Sequence, residues 1–247
     1  MKKLYEKSRL TFSIIWIVAY CVLMSAGDSL SDKIGIAKAV TLPIALTMSA
    51  ALLIFIKRNG LRDEYGLCKS KVPAGKMLFY LPLALMMAAN LFSGLTMNFS
   101  PIETVFYILT MLCVGFLEEV IFRGLLFKSM AENGIKSAIA VSSITFGMGH
   151  IINLINGSGA ELLPNILQVI YAMAAGFMFV MIFYKSGSLI PCIIGHGFFN
   201  ALSVFSDESA LTTKQRVVSC LFLVVISSGY ALYIALKVNR NKITAEF

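Results

Sequence analysis

Eight apolar runs alternate with short polar segments along the chain. They span about Leu10–Ala26, Val40–Ile56, Met77–Leu95, Val105–Phe127, Ser137–Ile155, Ile166–Tyr184, Leu189–Phe205 and Val217–Leu236. Each is long enough to cross a hydrocarbon core of about 30 Å, given some tilt. Lipid offers no partner for an exposed backbone amide, so segments this apolar must satisfy their own hydrogen bonds as helices. The pattern predicts an all-α polytopic bundle of about eight transmembrane helices, with residues 1–247 forming a single transmembrane domain.

Composition agrees with the pattern. Hydrophobic residues make up 58% of the chain and charged residues 14%, well below the quarter or so of a soluble domain. The net charge of +8 could point to nucleic acid, but the cations sit in short clusters between apolar runs. That is how a membrane protein marks its cytoplasmic loops. With the N-terminus inside, only Lys33, Lys38, Lys214 and Arg216 of the 21 basic residues fall outside, which leaves 17 on the cytoplasmic side. Both termini are therefore expected in the cytoplasm, in the cell membrane if the source is bacterial. The expected partners are membrane lipid and a peptide or lipidated peptide, and not nucleic acid. The basic segment from Lys57 to Lys76 is expected to lie on the cytoplasmic membrane surface. The first run, ending in Ser25-Ala26-Gly27, resembles a signal peptide, but it is long for one. Cleavage there would leave seven spans in the same orientation. Five cysteines, an odd number lying mostly inside apolar runs, imply no disulfide framework. No signal for an oligomeric state stands out.

Against this background a few polar residues are out of place. The fourth run carries Glu118-Glu119 and Arg123, and each charge near the centre of a span costs about 2.5–3.5 kcal/mol on the mildest insertion scale. Glu119 and Arg123 are four apart with the acid first, the favourable order for a helical pair. Glu118 points elsewhere. Such a pair could be purely structural, yet ionisable groups inside a membrane are functional by default. The only two histidines both lie in spans, as Phe146-x-x-x-His150 and His196-x-x-x-Asn200. At 1.5 Å per residue, Glu118 lies about 14 Å, His150 about 20 Å and His196 about 10 Å from the cytoplasmic helix ends. The four side chains are expected to form one buried polar site toward the cytoplasmic face. The direction in which His196 leans fits that convergence poorly.

These pieces resemble the CAAX protease and bacteriocin-processing (Abi) family, whose pattern is Glu-Glu-x-x-x-Arg, Phe-x-x-x-His and His-x-x-x-Asn on successive helices. Here they are Glu118-Glu119-x-x-x-Arg123, Phe146-x-x-x-His150 and His196-x-x-x-Asn200, with a similar lead-in from Ser188. The resemblance covers about residues 105–205. It implies peptide-bond hydrolysis within the membrane, near the cytoplasmic face. Glu118 would be the general base, Glu119 would be held by Arg123, and His150 would orient the water. His196 and Asn200 would donate to the oxyanion. No cofactor is required in that reading. A zinc site on His150, His196 and Glu118 competes with it on ligand chemistry, although His-Glu-x-x-His is absent. A Cys192–His196–Asn200 thiol arrangement is disfavoured, because a nucleophilic cysteine needs a positive setting. The non-enzymatic alternative is an immunity or scaffold protein, or an ion or proton transporter, using the same residues.

Overall fold

The computed structural model describes residues 1–78, 80–156, 160–207 and 211–238. They form helices without strands. A short helix, Lys2–Lys7, leads into α1, Arg9–Ile34. There follow α2 (Thr41–Arg58), α3 (Tyr80–Ala89), α4 (Pro101–Ala131), α5 (Ile135–Gly149), α6 (Leu162–Ser186), α7 (Ile190–Leu202) and α8 (Thr213–Lys237). Ser100 and Glu103 cap α4 reciprocally, and Pro101 stands at its first position. Thr212 and Gln215 do the same for α8. These are the devices that satisfy the unpaired amides of a helix start.

Six of these helices are long and apolar enough to cross a membrane, counting α5 with the 3₁₀ turn that extends it to Leu154. Their outer faces carry exposed aliphatic side chains such as Ile14, Val18 and Val22. Apolar surface of that extent is stable only against lipid, and the chain is an integral membrane protein. The third and seventh runs depart from the expectation of full spans. In the third, Leu78 takes a left-handed conformation (φ 52°) and Gly94 another (φ 85°). Between them α3 gives only ten residues before a 3₁₀ turn at Asn90–Ser93. In the seventh, α7 is thirteen residues long and passes into a 3₁₀ turn at Ser203–Phe205. The two shortened ends are tied to each other. Thr96 donates its amide to the Phe205 carbonyl at 2.9 Å, and Asn98 Nδ2 donates to the carbonyls of Val204 and Ser206. Polar groups that would have been stranded in lipid are paired inside the bundle.

The Lys57–Lys76 segment also packs onto the end of the bundle while its basic side chains stay exposed. Tyr65 and Val72 are buried, and the Tyr65 hydroxyl donates to the Tyr5 hydroxyl at 2.8 Å. Burial, and then that bond, push the Tyr65 phenol well above its ordinary pKa. Leu189 donates its amide to the Gly66 carbonyl, Lys71 to that of Ser186 (both 2.8 Å), and Ser188 Oγ to that of Cys68 at 2.6 Å. The segment thus seals the end of the bundle where α7 begins. Arg240, Lys242 and Phe247 lie outside the described residues. Reporter fusions at Asn98 and Phe247 are expected to report opposite sides of the membrane, with Phe247 cytoplasmic. Same-side reports would remove the orientation drawn from charge.

Two apolar clusters build the interior. One joins Phe12, Leu52, Phe55, Leu117, Phe122 and Phe146, and the other joins Phe127, Met178, Phe179, Phe183 and Ile234. The polar residues of α4 and α7 sit where the two clusters meet.

Candidate functional site

The fourth helix changes character at the two glutamates. It is α-helical from Pro101 to Glu118 and π-helical from Glu119 to Phe127. A π segment is rare and tends to mark functional positions. Here the wider turn holds Glu119 and Arg123, both fully buried, on one face, with Arg123 Nη1 donating to Glu119 Oε1 at 3.0 Å. The rest of the guanidinium faces rings, with Cζ 4.0 Å from the Phe146 centroid and 5.5 Å from that of Phe179. Gly176 makes room for it, because a Cβ there would stand 3.1 Å from Nη2.

His196 bridges the two carboxylates. Its Nδ1 lies 2.9 Å from Glu119 Oε1 and its Nε2 lies 3.4 Å from Glu118 Oε2. The close approach follows from sequence. A Cβ on Gly115 would fall 2.5 Å from the backbone of Gly197, so α4 and α7 touch backbone to backbone. Gly115 precedes Glu118 by three residues and Gly197 follows His196 directly. The helix contact overrides the unfavourable lean of His196. Its ring stacks on Phe179 at 5.4 Å. Phe146 stands edge-on to both His150 and His196, with centroids 5.6 Å from each.

Glu118 has a partner that no motif indicated. Tyr20 Oη, from α1, donates to Glu118 Oε1 at 2.7 Å. Glu118 Oε2 makes no hydrogen bond within the protein. Tyr20, Glu118, His150 and Asn200 line a cavity of about 370 Å³, within the size range of small-ligand pockets. His196 and Glu119 lie beneath its wall. The expectation that His196 donates to an oxyanion therefore does not fit its position, since both ring nitrogens face carboxylates. Glu118, His150 and Asn200 are the expected residues that reach the cavity.

The cavity also runs in an unexpected direction. Its wall continues from Glu118 to Asp28, Lys38, Asn156 and Ser203, all at the end of the bundle opposite Lys71 and Lys185. With the N-terminus cytoplasmic, that end is extracytoplasmic. The segment around Tyr65 covers the opposite end.

Zinc fits these residues poorly. Among the described residues no three His, Cys, Asp or Glu side chains are grouped to hold a metal ion. His196 is turned to the carboxylates, and His150 lies across the Phe146 ring. Cys192 is fully buried and directs its thiol to the Phe179 carbonyl at 3.5 Å, away from the cavity.

A carboxylate pair on α4 and an imidazole on α7 thus meet inside a membrane bundle. In comparison with known families, residues 100–202 match the family described as type II CAAX prenyl endopeptidase Rce1-like. The resemblance to the CAAX protease family drawn from the motifs is thereby shown for this stretch, which holds Glu118, Glu119, Arg123, His150, His196 and Asn200. Tyr20 lies outside it. No curated protein and no solved structure matches the chain in the same comparisons.

Proposed function

We propose that this protein is an intramembrane endopeptidase in which Glu118 activates water for attack on a peptide carbonyl. The observation that carries the reading is the position of Glu118. It is buried, fixed through Oε1 by Tyr20 at 2.7 Å, and presented at the wall of a cavity within the stretch that matches an endopeptidase family. The Glu118 carboxylate takes a proton as the water oxygen bonds to the carbonyl carbon. The same proton then goes to the amide nitrogen as the C–N bond breaks. Asn200, on the cavity wall, donates to the oxyanion, and His150 orients the water. Glu119 does not transfer protons. Arg123 and His196 hold it, and through His196 it fixes the geometry of Glu118.

The reading needs no metal. Purified protein in detergent micelles, given a quenched-fluorescent peptide library, is expected to cleave at an unchanged rate after exhaustive chelation. Loss of cleavage on chelation with recovery on adding one zinc per chain would replace this mechanism with a metal-dependent one. Absence of cleavage throughout, with proton- or ion-dependent uptake into proteoliposomes instead, would favour a transporter.

Tyr20 supplies a second test. A hydrogen bond to a charged group is worth about 1.5–3 kcal/mol, so Tyr20→Phe is expected to lower kcat about 10- to 100-fold with KM little changed. An unaltered kcat would show that Tyr20 packs against Glu118 without positioning it.

A further inference from the structure

The geometry points to entry of the substrate from the extracytoplasmic side, so that the enzyme acts on a peptide segment exposed at the outer leaflet and not on a cytoplasmic tail. The inference rests on the endopeptidase reading for its substrate and on the cavity for its direction. On the cytoplasmic side of the carboxylates, Arg123, Phe127 and Leu189 have no exposure and Tyr65 has 2%. Backbone bonds from the Leu189 amide to the Gly66 carbonyl and from the Lys71 amide to the Ser186 carbonyl fasten that closure. On the other side the cavity wall continues past Ser25 to Asp28 near the end of α1, to Lys38 in the loop that follows, and to Asn156 beyond α5. None of these three is buried. That end of the bundle holds four of the 21 basic residues, Lys33, Lys38, Lys214 and Arg216, and such depletion marks the outer side.

The lining states what kind of segment fits. A scissile stretch must be extended, and unwinding a helix frees amides and carbonyls that lipid cannot satisfy. The wall between Glu118 and the mouth offers uncharged hydrogen-bonding side chains, among them Tyr107, Asn153, Gln168 and Asn200. The charges at the mouth are Asp28 and Lys38, paired at 2.8 Å. They neutralise each other and leave the entrance without preference for substrate charge. The occupant is an unwound stretch of an exported or membrane-embedded polypeptide, recognised through its backbone.

Cys21, next to Tyr20, lines the cavity and is a native reporter. Right-side-out and inside-out vesicles carrying the full-length protein would be treated with a charged, membrane-impermeant methanethiosulfonate. The modified residue would be located by mass spectrometry. Because Cys21 is half-buried, Ser25→Cys in a Cys21→Ala background provides a position nearer the mouth. At least one of the two positions is expected to react at least tenfold faster from the extracytoplasmic side, with peptide cleavage lost on modification. Equal or faster reaction from the cytoplasmic side, or no reaction at either position, would overturn the entry route. Fast extracytoplasmic labelling of a protein that cleaves no peptide would leave the route standing and remove the peptidase reading.

Discussion

Glu118→Gln is expected to lower kcat by about 10²–10⁴-fold, the usual contribution of a positioned general base, while the protein stays folded. The amide oxygen of glutamine still accepts from the Tyr20 hydroxyl, and its volume matches that of glutamate, so the cavity wall keeps its shape. What is lost is the carboxylate that would take the proton. Initial rates on a cleavable peptide, set beside a thermal unfolding curve in the same detergent, separate the two effects. A variant with an unchanged melting transition and unchanged kcat would move the base elsewhere, to His150 first.

Arg123→Ala acts on the fold before it acts on chemistry. The guanidinium is fully buried, bonds Glu119 at 3.0 Å and packs on Phe146 and Phe179. Removing it leaves a buried carboxylate without its cation, a change that typically costs about 3–5 kcal/mol. Protein level in the membrane and the midpoint of thermal unfolding are both expected to fall sharply. The double variant Arg123→Met with Glu119→Gln is expected to recover much of that stability, because replacing both partners of a buried pair is far less costly than orphaning one. Recovery of folding without recovery of cleavage would then show that Glu119 also positions the site through His196. Normal level and stability of Arg123→Ala alone would contradict the pairing.

Much of this arrangement was legible in the amino-acid pattern. The apolar runs located the helices, because a membrane leaves the backbone no other choice. The four-residue spacing of Glu119 and Arg123 indicated the ion pair. Tyr20 was not legible. One tyrosine in an apolar run looks like any other, and its partner Glu118 is 98 residues away. Nothing in the residues from Glu119 to Phe127 announced a π segment. The shortness of α3 and α7 lay in left-handed turns and in cross-bundle bonds near Asn98, neither of which changes hydropathy. The direction of the cavity was not legible for a related reason. Depth counted along single helices places Glu118 but does not reveal that the chain around Tyr65 folds back and closes the nearer end. Gly115 and Gly197 carried a usable signal, as small residues on two helices that each bear an acid or an imidazole.

Hydrolysis of peptide bonds in membrane-associated polypeptides through Glu118 leaves a chemical trace. The most direct measurement compares peptide termini in membranes from cells expressing the wild-type protein or Glu118→Gln at equal levels, grown in water enriched in oxygen-18. The account predicts a set of new C-termini carrying the heavy oxygen in wild-type membranes, and their absence in the variant. The intact precursors are expected to co-purify with the variant. Identical termini in the two membranes, with no precursor retained by the variant, would contradict it.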